Sequence, residues 1–141
     1  MSEKLCTLRT KGGGGGKYTE TSLWTNSAPT STFAGQSVTL SDSISNYKYV
    51  GIKFAYATNY STGDCISTII LSVEDFKKGG YNTGVRRNNF SMSLSNVANT
   101  AYSRMVLYND DNSVRFGTCY QVGTNTNANG NAIPLEILGL K

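Results

Sequence analysis

Apolar residues recur at every second position in several stretches of this chain, and this period is its strongest constraint on the fold. In the stretch YKYVGIKFAY, Val50, Ile52, Phe54 and Tyr56 share one face of an extended chain, whereas Lys53 lies on the other. Such alternation is typical of a β-strand with one buried face and does not fit the 3.6-residue period of a helix. We therefore expect a strand here, with Phe54 in the core.

Other segments repeat this pattern. Residues 66–73 form a short β-branched run, residues 90–95 alternate apolar side chains with Ser, and residues 133–137 alternate Ile and Leu with other residues. Pro134 in the last of these favours a strand start or a sheet edge. Only SVEDFKKGG, residues 72–80, has the acidic start, basic end and glycine stop of a short helix.

Two further segments flank the turn sequence NDDN at residues 109–112, which predicts a β-hairpin. In the second strand of this hairpin the alternation places five residues on one face: Val114, Phe116, Thr118, Tyr120 and Val122. Many short strands separated by turn residues predict an all-β fold, an antiparallel β-sandwich of jelly-roll-like form.

The sequence KGGGGGK divides the chain. Five consecutive glycines disfavour both helix and strand, so we interpret residues 12–17 as a flexible tether. Residues 1–11 are then a short N-terminal attachment segment, and residues 18–141 form one β-sandwich domain. A phosphate-binding loop is the other known use of such a run, but Lys17 is followed by Tyr18 and not by Ser or Thr.

Charge and composition argue against several function classes. The net charge is +4 with scattered basic residues, so we expect no nucleic-acid partner. The chain has no His, and its three cysteines lack metal-ligand spacing, so we expect no catalytic residues, no metal and no cofactor. A glycosidase with two carboxylates remains a weaker alternative, because distances in space cannot be read from the sequence. No apolar run is long enough for membrane insertion.

Polar loops supply the candidate recognition residues. Ser, Thr and Asn together account for 46 residues, and they surround few bulky side chains. Tyrosine on a polar loop offers rigid, amphipathic contact area, and asparagine amides both donate and accept hydrogen bonds. The candidates are Tyr60, Tyr81, Asn125, Asn127 and Asn129. The alternative for each tyrosine is that it folds down over the base of its loop.

The single tryptophan, Trp24, also has two interpretations. It is either a surface platform for a sugar or partner, or an anchor that packs the first strand against a sheet or a neighbouring subunit. Its position beside Leu23 favours packing.

The order of residues around this tryptophan resembles the C-terminal receptor-binding domains of bacteriophage tail fibre and tail tip proteins. The resemblance rests on Leu23-Trp24-Thr25-Asn26, Pro29, Phe33, Gln36 and Val38-Thr39-Leu40, followed by YKYVGIKF. The ending PLEILGLK is similar to the terminal strand of those domains, and the similarity spans most of residues 18–141.

This resemblance implies a homotrimer, made in the bacterial host cytoplasm and located in the virion. It implies attachment to other virion proteins through residues 1–11 and binding of a host-surface carbohydrate without chemistry. Such domains usually end longer fibres, whereas only residues 1–17 precede this one. This leaves open a short adaptor, a capsid or baseplate decoration, or an excised fibre tip. The alternative function is a structural virion component, such as a head or baseplate decoration or attachment protein, with only protein partners.

The two functions differ in where the loop residues should lie. Receptor binding predicts that Tyr60, Tyr81 and residues 125–131 lie at the end of the domain far from its N-terminus. A structural role predicts that they are buried in subunit contacts.

Overall fold

A computed structural model describes residues 18–59, 67–78 and 100–141 of the chain. The predicted attachment segment and tether, the strand at residues 90–95, Tyr60 and Tyr81 lie outside the described residues. The elements are β1 (Glu20–Thr25), β2 (Gln36–Thr39), a 3-10 helix (Ile44–Asn46), β3 (Tyr49–Ala57), β4 (Ser67–Ser72), α1 (Val73–Lys78), β5 (Tyr102–Asp110), β6 (Ser113–Gln121) and β7 (Asn131–Leu140).

The strands form two antiparallel sheets, which confirms the all-β prediction. One sheet has the order β1-β7-β3-β4 and the other β2-β6-β5, and neighbouring strands in the described part of the chain run antiparallel. Buried residues of both sheets meet in one core, as in a sandwich. In the described part of the chain, no helix is long and apolar enough to cross a membrane.

The core centres on the ring of Phe116, which is fully buried. Its ring centroid lies 5.6 Å from that of Phe33, 6.1 Å from that of Phe54 and 5.7 Å from that of Trp24. Edge-to-face and tilted contacts of this kind stabilise aromatic clusters beyond the area that they bury. The tryptophan therefore packs against the core, as its position beside Leu23 predicted.

Strand β3 has the predicted register as far as Phe54, whereas Tyr56, predicted on the same face, is only partly buried and its neighbour Ala55 is 1% exposed. Val50, Ile52 and Phe54 are at most 1% exposed and face the core. Lys53 points away from the core and pairs with Glu136 of β7, with 3.1 Å between Nζ and Oε2. The predicted short helix is also present as α1, where Ser72 Oγ accepts a hydrogen bond from the Asp75 amide at its start.

The position of Pro134 differs in part from the prediction. It lies inside β7 and does not start the strand. It pairs with Phe54 of β3, whereas the pairing of β7 with β1 ends at Glu136, so Pro134 has no partner on that side among the described strands. The β3–β7 register shifts at this point, because Lys53 pairs with Glu136 whereas Phe54 pairs with Pro134. Proline is tolerated at such an irregularity, since the regular ladder of hydrogen bonds is already interrupted.

Strand β6 follows the predicted period only in its first half. Val114 and Phe116 are fully buried as expected, but Cys119 is also fully buried whereas Tyr120 is 43% exposed. The pairing with β5 shifts between Arg104 and Val106, which leaves one extra residue on β6. The predicted face is therefore wrong beyond Phe116, because this β-bulge reverses which side chains point inward.

Strand β7 connects two opposite ends of the domain. At the end that we call proximal, the Thr19 amide donates to the Lys141 carbonyl, so the described chain enters there. At the end that we call distal, Asn131 pairs with Ala57. The ten residues of β7 separate these ends by about 30 Å. Residues 122–130 lie at the distal end, where the Gly130 carbonyl accepts a hydrogen bond from the Thr58 amide.

Candidate recognition site

The asparagine-rich loop folds back along the end of β6. The Gln121 amide donates to the Thr126 carbonyl at 2.9 Å, and the Ala128 amide donates to the Cys119 carbonyl at 2.8 Å. The tip of the loop, between Gln121 and Thr126, is closed by a hydrogen bond from the Asn125 backbone amide to the Gln121 carbonyl. Gly123 and Asn125 have φ values of 93° and 54°, a left-handed region that Gly and Asn adopt more readily than other residues.

The three candidate asparagines have different roles in this loop. Asn127 Oδ1 accepts a hydrogen bond from the Asn129 amide, and Asn129 Oδ1 accepts one from the Cys119 amide at 3.0 Å. Both side chains therefore support the loop. The exposed Asn125 side chain has no hydrogen-bond partner among the described residues. Of the three predicted asparagines, Asn125 is therefore the one whose side chain is exposed and makes no hydrogen bond to the described residues, while the two predicted tyrosines lie outside those residues.

Next to Asn125 is a shallow groove of about 340 Å³ on the outer side of β5 and β6. Its described lining residues are Ser103, Met105, Thr118, Tyr120, Gln121, Val122, Gly123 and Asn125. We call it the distal groove. None of these lining side chains is charged.

Exposed apolar side chains concentrate in the distal groove. Four large hydrophobic residues are exposed in the described part of the chain, and three of them line this groove: Met105 at 39%, Tyr120 at 43% and Val122 at 54%. Isolated exposed apolar residues are common on protein surfaces, but a cluster marks an interaction site. This cluster makes the groove the leading candidate site.

Sequence reasoning missed Met105, Tyr120 and Val122 as site residues. It assigned Tyr120 and Val122 to the buried face because it extended the alternation of β6 unbroken through Gly117. A glycine inside a strand pattern is itself a sign of a bulge or of close backbone approach. A Cβ atom at Gly117 would lie 3.2 Å from the Cβ of Met105, so the neighbouring strand approaches closely here.

Arg104 lies beneath this region on the core side of β5 and is 1% exposed. Its guanidinium donates to three carbonyl oxygens, those of Ala132 at 2.8 Å, Gly117 at 2.7 Å and Asn131 at 3.2 Å. Its Cζ is also 5.4 Å from the ring centroid of Phe33. Burial lowers the pKa of Arg104 to about 10, so the side chain remains charged at neutral pH. It joins β5, the bulge of β6 and the start of β7.

Four of the described aspartates are poor candidates for the general acid of a glycosidase. Hydrogen bonds lower the pKa values of Asp42, Asp75, Asp110 and Asp111, and that of Asp111 falls to about 2. A glycosidase needs one carboxyl group with a raised pKa. Among the residues described, no group of three or more His, Cys, Asp or Glu side chains could hold a metal ion. Cys119 is a free thiol whose pKa is raised by burial.

A second depression, of about 440 Å³, lies at the proximal end between the 3-10 helix, β3 and α1. Two charged residues of its lining are already paired, Lys77 with Asp111 and Glu74 with Lys78. Its Tyr49 ring contacts the ring of Tyr18, where the described chain begins. This depression therefore lies beside Tyr18, the first described residue, and is a weaker candidate for a ligand site.

Comparison of the sequence with protein-family models and with curated proteins finds no match.

Proposed function

We propose that this chain is the receptor-binding module of a bacteriophage tail fibre or tail tip, and that the distal groove binds a host-surface glycan without chemistry. The observation that carries the proposal is the cluster of Met105, Tyr120 and Val122 at the end opposite to the point where the chain enters. A module attached through its N-terminal side presents its distal end to the host. The resemblance of the sequence to tail fibre domains supports the same function.

The chemistry of the groove suits a sugar. The exposed ring of Tyr120 offers an apolar surface to the C–H face of a pyranose. The side-chain carboxamides of Gln121 and Asn125 have no hydrogen-bond partner among the described residues and can pair with sugar hydroxyl groups. These groups sit on loops and strand ends of a rigid sandwich, where binding residues are commonly placed.

The proposal includes a homotrimer of jelly-roll-like domains in the virion, joined to other virion proteins through residues 1–11. Three grooves on one fibre would convert weak single contacts into useful avidity. Light scattering should give three times the chain mass of 15.2 kDa. A monomer at micromolar concentration would contradict the trimer.

The second candidate is a structural virion component with only protein partners. The same apolar cluster favours it, because exposed Met and Val side chains also suit a protein contact. The two candidates differ in whether binding to cells depends on the surface polysaccharide of the host.

The test measures binding of the purified protein to cells of candidate hosts, with and without their surface polysaccharide. Tyr120→Ala combined with Asn125→Gly should reduce binding at least about tenfold, through loss of one ring and one amide contact. Glycine retains the left-handed backbone at position 125. Tyr18→Ala is the matched control, because Tyr18 is 47% exposed but proximal. Equal binding by the folded double variant and wild type would favour the structural role.

Tyr60 and Tyr81 provide a separate arm of this experiment. We expect Tyr60→Ala combined with Tyr81→Ala to leave folding intact and to reduce cell binding at least about tenfold, if both rings join the recognition surface. Unchanged binding would remove these two residues from the proposed surface.

A further inference from the structure

The lining of the distal groove also specifies a class of sugar. Resting on the proposed function, we infer that the groove selects an uncharged N-acetylated hexosamine over plain neutral hexoses and over acidic sugars. Three features of the described lining carry this inference: the absence of charged side chains, two apolar side chains in the same groove as the Tyr120 ring, and two side-chain carboxamides with no hydrogen-bond partner among the described residues.

The absence of charge disfavours acidic sugars. None of the described lining residues is ionisable at neutral pH, and a carboxylate placed there would lose hydration without gaining an ion pair. The cation nearest in sequence, Arg104, is on the core side of β5, and its guanidinium already donates to three carbonyl groups. It is 1% exposed and therefore cannot serve as a counter-ion for a ligand.

The apolar side chains favour a methyl group. Met105 and Val122 line the same groove as Tyr120, so the ring is not surrounded by polar groups alone. A plain hexose presents hydroxyl groups around its rim and would leave these two side chains unmatched. An acetamido group carries a methyl, whose burial against them contributes about fourfold in affinity.

The amide groups complete the match. Gln121 and Asn125 both line the groove, and their side chains have no hydrogen-bond partner among the described residues. Each carboxamide donates and accepts, which complements the N–H and C=O of an acetamido group. The Asn125 side chain projects from a backbone fixed by the bond between its amide and the Gln121 carbonyl. Because this backbone is held, binding has to order only the side-chain torsions of Asn125, which lowers the entropy cost.

The experiment titrates the full chain with monosaccharides and follows binding by protein-observed NMR. The probes are N-acetylglucosamine and N-acetylgalactosamine, their parents glucose and galactose, and the acidic sugars glucuronic acid and N-acetylneuraminic acid. At least one neutral N-acetylated sugar should bind at least about fourfold more tightly than its parent hexose and than either acidic sugar.

Variants test which groups discriminate. Val122→Ser should reduce the affinity for the N-acetylated sugar by a larger factor than the affinity for its parent hexose, and so lower the preference between them. Tyr120→Ala should abolish binding of both, and Tyr18→Ala should change neither. Chemical shifts outside the groove report whether each variant remains folded.

Failure of this inference is distinguishable from failure of the proposed function. Equal affinities for hexose and N-acetylhexosamine, or tighter binding of an acidic sugar, would overturn the inference and leave glycan recognition standing. If no probe binds but cell binding still requires Tyr120, the inference is likewise overturned and glycan recognition still stands. If no probe binds and Tyr120→Ala leaves cell binding unchanged, both the inference and the proposed function are wrong.

Discussion

Arg104→Met tests whether the buried guanidinium holds the distal end together. Methionine retains an apolar stem of similar length but removes the groups that donate to the carbonyls of Ala132, Gly117 and Asn131. The bond to Ala132 is buried and the other two are partly buried, so the last two carbonyls can regain water in the variant. The three hydrogen bonds should therefore contribute unequally to the stability lost in the variant.

The expected magnitude follows from these three bonds. A hydrogen bond to a charged group contributes about 1.5–3 kcal/mol net. Counting the bond to Ala132 in full and the two partly buried bonds by half gives about 3–6 kcal/mol. These net values already include the cost of removing the cation from water, which is the effect that lowers the pKa of Arg104 to about 10. Small domains have total stabilities of about 5–15 kcal/mol, so this loss is large.

Urea unfolding followed by the fluorescence of Trp24, the single tryptophan, measures this loss. Arg104→Lys keeps the charge but cannot span all three carbonyls, so it should fall between wild type and Arg104→Met. Lys48→Met is the control, because it removes an exposed cation and should change stability by less than about 0.5 kcal/mol. If Arg104→Met were within about 1 kcal/mol of wild type, the guanidinium would not be a structural centre.

Two further predictions concern the hydrophobic core and the loss of folding stability at low pH. Phe54→Ala should cost about 3–5 kcal/mol in urea unfolding because the ring is buried against Phe116, whereas Lys53→Ala should cost under about 1 kcal/mol; equal losses would contradict the register of β3. Hydrogen bonds, first from Lys77, lower the pKa of Asp111 to about 2, below the unfolded value of about 3.9. Stability from this group is therefore present above about pH 4 and lost as the pH falls from about 4 to 2. Asp111→Asn should flatten that part of a melting-temperature profile, and an unchanged slope would refute the assignment.

The features that the sequence predicted correctly depend on local pattern. Strand β3 is recognisable because Val50, Ile52 and Phe54 alternate with residues of the outer face. Helix α1 is recognisable because Ser72 precedes two acids and two lysines follow. In both cases the side chains that define the element are close in sequence, so local spacing alone is informative.

The features that were wrong depend on pairing between distant strands. The register shifts beside Pro134 and beside Gly117 arise where β7 meets β3 and where β6 meets β5. One extra residue at such a shift reverses every later side chain, and a single-strand pattern does not contain the partner's register. Asn125 could be chosen as a candidate because turn-forming residues are recognisable from the local sequence. Tyr120 was wrongly assigned to the core, because its orientation depends on a bulge that the sequence of β6 alone does not show.

The bulge that reverses the predicted face of β6 also creates the distal groove. Without the extra residue, Tyr120 would continue the buried row of Val114 and Phe116, and Cys119 would point outward. Arg104 donates to the Gly117 carbonyl next to this shift, so the buried cation stabilises the irregular backbone on which Tyr120 is displayed. Under the proposed function, this contact couples stability to recognition, and we expect folded Arg104→Met to bind host cells more weakly than wild type even though Arg104 does not line the groove.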